Sequence, residues 1–231
     1  MVCIKNIKFI GIIIDFKQAE LAKKYRANTV EIRIDLEKKL QNFDCLLNLI
    51  NKIKTELNLD IIATIRLQKE GGKYIKDDIK RFELFKKLSH YVDYIDIELY
   101  SKYTKLLKMY IKQNNLKTKL IISYHNFKNT PDKTKLIEII NNADKLLPDM
   151  IKIATFVNNS NDLIKLIEIQ KKSKKLSVIT MSDMWYSYFG RILFPLLGSQ
   201  LVYGYTDKKV VLGQLSIQEL SKIILSFSDF F

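Results

Sequence analysis

Short apolar runs alternate along this chain with longer amphipathic stretches, and the alternation repeats eight times. The runs cover residues 8–14, 29–35, 61–66, 94–99, 119–125, 150–156, 177–182 and 201–205. Between them lie segments such as FDCLLNLINKIKTEL (43–57) and IKRFELFKKLSHYV (79–92), whose apolar residues recur every three or four positions. Brief apolar runs read as strands and 3.6-periodic stretches as helices. Thr130-Pro131-Asp132 ahead of KTKLIEII and Ser160 ahead of NDLIKLIEI mark helix starts. Regular strand–helix alternation predicts a parallel sheet, and eight units predict an α/β fold of the (β/α)8 TIM barrel type; an open doubly wound sheet is the alternative. No Gly-rich turn follows the first run, so a dinucleotide-binding fold has no support. Nothing resembling a linker divides the chain, and residues 1–231 read as one domain.

Barrel strands are covered by helices outside and packed inside, so they should be almost wholly apolar. Several here are not. Glu31, Arg33 and Asp35 alternate with Val30, Ile32 and Ile34; Asp96 and Glu98 alternate with Ile95, Ile97 and Leu99. Ser123 and His125 alternate with Ile122 and Tyr124, and Lys152 and Ala154 with Ile151 and Ile153. Residues two apart on a strand share a face. The apolar face must meet the helices, which leaves Glu31, Arg33, Asp35, Arg66, Asp96, His125 and Lys152 pointing into the barrel. A structural ion-pair network is one explanation, and it suits Asp35 and Asp96. Catalysis is the other, because catalytic groups of this fold sit at the C-terminal ends of its strands.

Lys152, inside DMIKIATF, has no acidic partner in the residues that follow it. Burial and neighbouring cations would disfavour its ammonium form, and a neutral buried amine attacks carbonyls. His125, at a strand end before NFKNTP, is placed to move a proton beside the resulting imine. His90 closes a helix in LSHYVDY and reads as a surface or capping residue.

Composition narrows the choice. With 47% hydrophobic and 28% charged residues the chain is too apolar for disorder. A net charge of +14 invites a nucleic-acid role, but the lysines are dispersed among Asp and Glu and gather into no basic segment. No nucleic-acid partner is expected. Cys3 and Cys45 match no metal or redox spacing, so a reducing cytoplasm is the default compartment. FIGIII is too short for a signal peptide, and no apolar stretch is long enough to span a membrane. The arginines are the scarcer cation: Arg26, Arg33, Arg66, Arg81 and Arg191 are the five in the chain. Each is a candidate for a position that needs a planar, bidentate fork.

EIRIDL (31–36), TIRLQKEGG (64–72), YIDIEL (94–99), IISYHNFKNTP (121–131), MIKIATF (150–156) and FGRILFPLLGS (189–199) occur in an order and spacing that resembles the type I 3-dehydroquinate dehydratase family. The resemblance runs from about residue 29 to residue 214. It implies a (β/α)8 lyase of the shikimate pathway, usually a homodimer, with 3-dehydroquinate as substrate and neither metal nor organic cofactor. It also implies roles: Lys152 forms the Schiff base, His125 is general acid and base, and Glu70 orients His125 and sustains its protonated form. Arg191 pairs with the substrate carboxylate, while Glu31, Arg33, Arg66 and Gln214 contact the rest of the substrate. The chain departs from the family's pattern at two places. Val210, in VVLGQ, stands where serine is usual, and its loss of one contact should weaken binding by about 1 kcal/mol. Asp183 adds a carboxylate near the expected carboxylate site, where it would repel substrate unless it faces away or pairs with a lysine. Two alternatives remain open at this level: another Schiff-base barrel enzyme, such as a class I aldolase, and a non-catalytic barrel homologue.

Overall fold

The computed structural model describes residues 7–75, 77–209 and 213–227. Eight parallel strands alternate with eight helices: β1 (Lys8–Ile13), α1 (Phe16–Lys24), β2 (Thr29–Arg33), α2 (Phe43–Lys52), β3 (Asp60–Thr64), α3 (Asp78–Leu88), β4 (Tyr94–Glu98) and α4 (Thr104–Gln113) form the first half. The second half is β5 (Lys119–Asn126), α5 (Lys133–Asp144), β6 (Met150–Phe156), α6 (Ser160–Gln170), β7 (Leu176–Met181), α7 (Trp185–Leu196), β8 (Leu201–Tyr205) and α8 (Ile217–Ser226). Strand order runs β7-β6-β5-β4-β3-β2-β1-β8 with every ladder parallel. This is the predicted (β/α)8 barrel, nearly closed.

Side-chain hydrogen bonds bridge the remaining seam between β7 and β8. Ser177 Oγ accepts from the backbone N–H groups of Gln200 at 3.0 Å and Leu201 at 3.2 Å. Val178 N–H donates to Ser199 Oγ at 3.0 Å, and that hydroxyl donates to Gln170 Oε1 at 2.9 Å. Where the ladder is missing, buried polar side chains satisfy backbone groups that would otherwise be orphaned.

The strand parity behaves as the pattern requires. Val30, Ile32, Ile95, Ile97, Ile151 and Ile153 belong to the cluster packed between strands and helices. A smaller interior cluster, including Ile10, Ile62, Tyr94, Ile121, Met150 and Leu201, plugs the barrel. Glu31, Thr64, Asp96, Ser123 and Lys152 occupy the other parity of β2 to β6 and are buried.

Element ends differ from the sequence reading where a polar residue turns the chain. The second strand stops at Arg33, and Ile34–Leu36 form a 3-10 turn because Asp35 bends back to bind Arg33. The third strand stops at Thr64, so Arg66 lies just beyond it. α5 follows Asp132, whose Oδ1 caps Lys135 N–H at 2.8 Å, as the Thr-Pro-Asp signal predicted. At α6 the cap is Asn159 rather than Ser160, because the Asn159 side-chain Oδ1 accepts from Asp162 N–H at 3.1 Å.

Candidate active site

A cavity of about 300 Å³ opens among the strands, lined by all eight residues that the sequence assigned to the site: Glu31, Arg33, Arg66, Glu70, His125, Lys152, Arg191 and Gln214. That volume lies at the small end of the small-molecule range. Of the five arginines, Arg26 is exposed and the other four are buried.

Lys152 comes from the third position of β6 and pairs in register with Ser123 of β5. Its surroundings correct the expectation of a lysine among cations. Nζ lies 2.5 Å from Asp96 Oδ2 and 3.7 Å from Glu31 Oε1, carboxylates delivered by β4 and β2. Sequence reasoning missed this pairing because no residue near Lys152 in the chain supplies it. Asp96 is therefore more than a strut: it touches the amine. Burial alone would raise its carboxyl, but Arg66 and Lys152 outweigh that and hold it well below the usual carboxylate range.

An alternating chain of charges continues outward from Asp96. Asp96 Oδ1 accepts from Arg66 Nη2 at 2.7 Å and from Ser123 Oγ at 2.6 Å. Arg66 Nη1 lies 3.1 Å from Glu98 Oε1, and Glu98 Oε2 accepts from Arg81 Nη1 at 2.5 Å. Arg81, on α3, is almost fully buried and also donates to Ile65 O at 2.9 Å. The structural-network reading thus holds for Arg66, Glu98 and Arg81, each buried charge meeting an opposite one. Asp35 is structural too, taking both Nε and Nη2 of Arg33 at 2.9 Å and the backbone N–H groups of Arg66 and Lys73.

His125 sits near the C-terminal end of β5, one rung above Lys152 on the adjacent strand, opposite Ala154. Its Nδ1 is 3.1 Å from Glu70 Oε2, which also accepts the His125 backbone N–H at 3.2 Å. Glu70 closes a 3-10 turn (Gln68–Glu70) whose exit explains the two glycines of EGG. Gly71 adopts φ +79°, and a Cβ there would lie 2.3 Å from the Phe127 ring; a Cβ on Gly72 would lie 2.0 Å from Arg66 O. Electrostatics here differ from the expectation of a protonated histidine. Burial, reinforced by Arg66 and Lys152, pushes the imidazole well below its ordinary 6.5. Burial also raises Glu70 to about 7 against the pull of Arg66. The pair therefore favours a neutral imidazole oriented by a weakly acidic partner.

Arg191 projects from α7 and has no carboxylate within ion-pair distance among the described residues. Its Nη1 donates to Tyr203 O at 3.0 Å and its Nε to Ser187 Oγ at 3.4 Å. Burial alone lowers its pKa to about 10. Ser187 Oγ also donates to Gly213 O at 2.9 Å, which ties the segment carrying buried Gln214 to the same helix. Asp183 is exposed and outside the cavity lining; Val210 lies outside the described residues. His90 is exposed, 3.1 Å from Tyr110 OH, as a surface residue should be. The site also contains a residue the sequence reading missed: Tyr203 of β8, buried, with its hydroxyl 3.4 Å from Lys152 Nζ.

The model of the family described as type I 3-dehydroquinase matches residues 14–229. The chain belongs to the type I 3-dehydroquinase family. With the family comes the enzyme class, a hydro-lyase acting in the shikimate pathway. Among its relatives, a 3-dehydroquinate dehydratase of Methanocaldococcus jannaschii is 34% identical over 212 residues, covering 90% of this chain and 91% of that one. One from Thermodesulfovibrio yellowstonii is 29% identical over 223 residues, covering 95% and 96%. The crystal structure of the Aquifex aeolicus 3-dehydroquinate dehydratase superposes with a TM-score of 0.83 at 28% identity, covering 94% of this chain and 98% of that one.

Proposed function

We propose that residues 1–231 work as one catalytic unit that removes water from 3-dehydroquinate to give 3-dehydroshikimate through an imine on Lys152. The observation that carries this reading is the pairing of opposites across one cavity: a buried amine on the strand floor and, at α7, a buried guanidinium with no acidic partner among the described residues. A keto acid supplies a carbonyl for the first and a carboxylate for the second. Bidentate arginine–carboxylate contact then fixes the substrate's orientation.

The steps follow from that placement. Lys152 Nζ adds to the C3 ketone, and loss of the ketone oxygen as water leaves an iminium. The iminium draws electrons from C2, so the C2–H bond is weakened and its pair can flow toward nitrogen. His125, neutral in this environment, accepts the C2 proton at Nε2 while Glu70 holds Nδ1. The electron pair returns from the enamine nitrogen, the C1–O bond breaks, and the proton on His125 leaves with the hydroxyl as water. Hydrolysis of the product imine restores Lys152. The iminium is itself the electron sink, so no metal or organic cofactor enters these steps. Glu31, Arg33 and Arg66 hold the ring hydroxyls, Arg66 with its guanidinium also engaged by Ser123, Asp96 and Glu98, and Gln214 contacts the substrate from the last loop.

The enzyme works in the cytoplasm as a homodimer in this reading, which rests on the family resemblance. No described helix is long and apolar enough to cross a membrane. Purified protein mixed with 3-dehydroquinate should generate the conjugated enone of the product, followed by ultraviolet absorbance, and sedimentation should give twice the chain mass. Folded protein that leaves 3-dehydroquinate unchanged would overturn the assignment.

A further inference from the structure

Of the groups that touch the nucleophile, the Tyr203 hydroxyl is the neutral one, and it takes no part in the steps proposed so far. Lys152 Nζ has carboxylates on one side, Asp96 and Glu31, and the Tyr203 hydroxyl at 3.4 Å on another. Adding an amine to a ketone requires a net proton transfer from nitrogen to oxygen. A carboxylate held ionised beside Arg66 accepts protons poorly and donates none. His125 commits Nδ1 to Glu70 and keeps Nε2 for the C2 proton. A phenol can donate and accept through one oxygen.

We propose that Tyr203 is a catalytic residue of imine formation, its hydroxyl relaying a proton from Lys152 Nζ to the ketone oxygen as the N–C3 bond forms. As the carbonyl π pair moves to oxygen, Tyr203 gives that oxygen its O–H proton and takes one N–H proton from Nζ. The product is the neutral carbinolamine and the phenol is regenerated. The same relay runs backwards when the product imine is hydrolysed. No phenolate accumulates, and the setting agrees: burial, with Glu31 and Asp96 nearby, raises the Tyr203 hydroxyl well above its ordinary 10. The position serves this geometry because Tyr203 lines the cavity from β8 while its carbonyl accepts from Arg191. One residue therefore touches both the nucleophile and the proposed carboxylate anchor. This assignment rests on the proposed imine chemistry.

The test is Tyr203→Phe, which keeps the ring and removes only the hydroxyl. Rapid-quench borohydride reduction with 3-dehydroquinate reads the rate at which Lys152 acquires substrate. The relay predicts a rate lower by about tenfold to a hundredfold, the lower range of general acid–base effects. It also predicts that the kinetic isotope effect with C2-deuterated substrate collapses toward one, since imine formation then limits turnover. A merely structural tyrosine would not move that isotope effect. An unchanged trapping rate with an undiminished isotope effect overturns the Tyr203 assignment alone. Absence of any adduct in the native chain overturns the imine reading and the relay together. Should the variant misfold, the native trapping rate measured in D2O decides: a slower rate supports a proton in flight at this step, and no change contradicts it.

Discussion

Arg191 offers a sharp test, because the reading makes it costly to the fold and indispensable to the site. Burial drops its pKa to about 10, with no carboxylate among the described residues to offset the lost hydration. At neutral pH folded and unfolded chains both carry the proton, so the full cost of about 3 kcal/mol falls on the folded state. The cost begins to lift only as pH climbs past about 10, far above working conditions. Its hydrogen bonds to Tyr203 O and Ser187 Oγ return about 1 kcal/mol each. Arg191→Met, similar in length and uncharged, should therefore stabilise the empty protein by about 1–2 kcal/mol in urea unfolding. In the same variant kcat/KM should fall by about a hundredfold to a thousandfold, the cost of leaving a substrate carboxylate without its buried partner. Opposite signs in the two assays are the signature. A variant destabilised by more than about 2 kcal/mol with KM unchanged would refute the reasoning and make Arg191 a structural strut.

Other outcomes follow from the same contacts. Lys152→Met should abolish turnover and lower unfolding free energy by about 3–5 kcal/mol, because Asp96 and Glu31 lose a buried counter-charge; activity assays and urea unfolding check both. Glu70 is raised from 4.5 to about 7, so its contribution to stability is full below pH 4.5 and is lost as pH rises through about 7. Unfolding of the native chain against Glu70→Gln should show the variant gaining up to about 3 kcal/mol across that window, and a constant difference would contradict the burial argument. His125 must be neutral to accept a proton and is held below 6.5, so the acid limb of the kcat/KM profile should lie below pH 6.5. Gly71→Ala puts a Cβ against the Phe127 ring at a positive φ, and should cost about 1–3 kcal/mol in thermal unfolding while slowing turnover through displaced Glu70.

Much of this architecture is legible in the chain because strand parity is a local property. EIRID, IDIE and MIKIA each announce an apolar face and a charged one, and eight repeats leave few ways to arrange them. Parity names Glu31, Arg33, Arg66, His125 and Lys152, whereas Glu70, Arg191 and Gln214 lie off the strands and come only with the family resemblance, which also supplies the roles. What the chain conceals is pairing across strands. Asp96 and Lys152 lie 56 positions apart, and only the register of β4, β5 and β6 makes them neighbours. Asp35 shares parity with Glu31 and Arg33 yet serves the loop, since the chain has already turned at Ile34. Tyr203 escaped notice because LVYGY reads as an ordinary apolar strand, and its hydroxyl gains meaning only beside Lys152. The scarcity of arginine marks Arg81 of α3 as a candidate, but only the fold supplies its partner, Glu98.

Every step of the proposed reaction depends on Lys152 as the nucleophile. Incubation with 3-dehydroquinate, borohydride reduction, digestion and peptide mass mapping test that role. A single adduct of the ring acid is expected on the peptide carrying Lys152, absent from Lys152→Met. Turnover without any reducible adduct on Lys152, in folded protein at saturating substrate, would contradict it and leave the lysine as one more member of the barrel's ion-pair network.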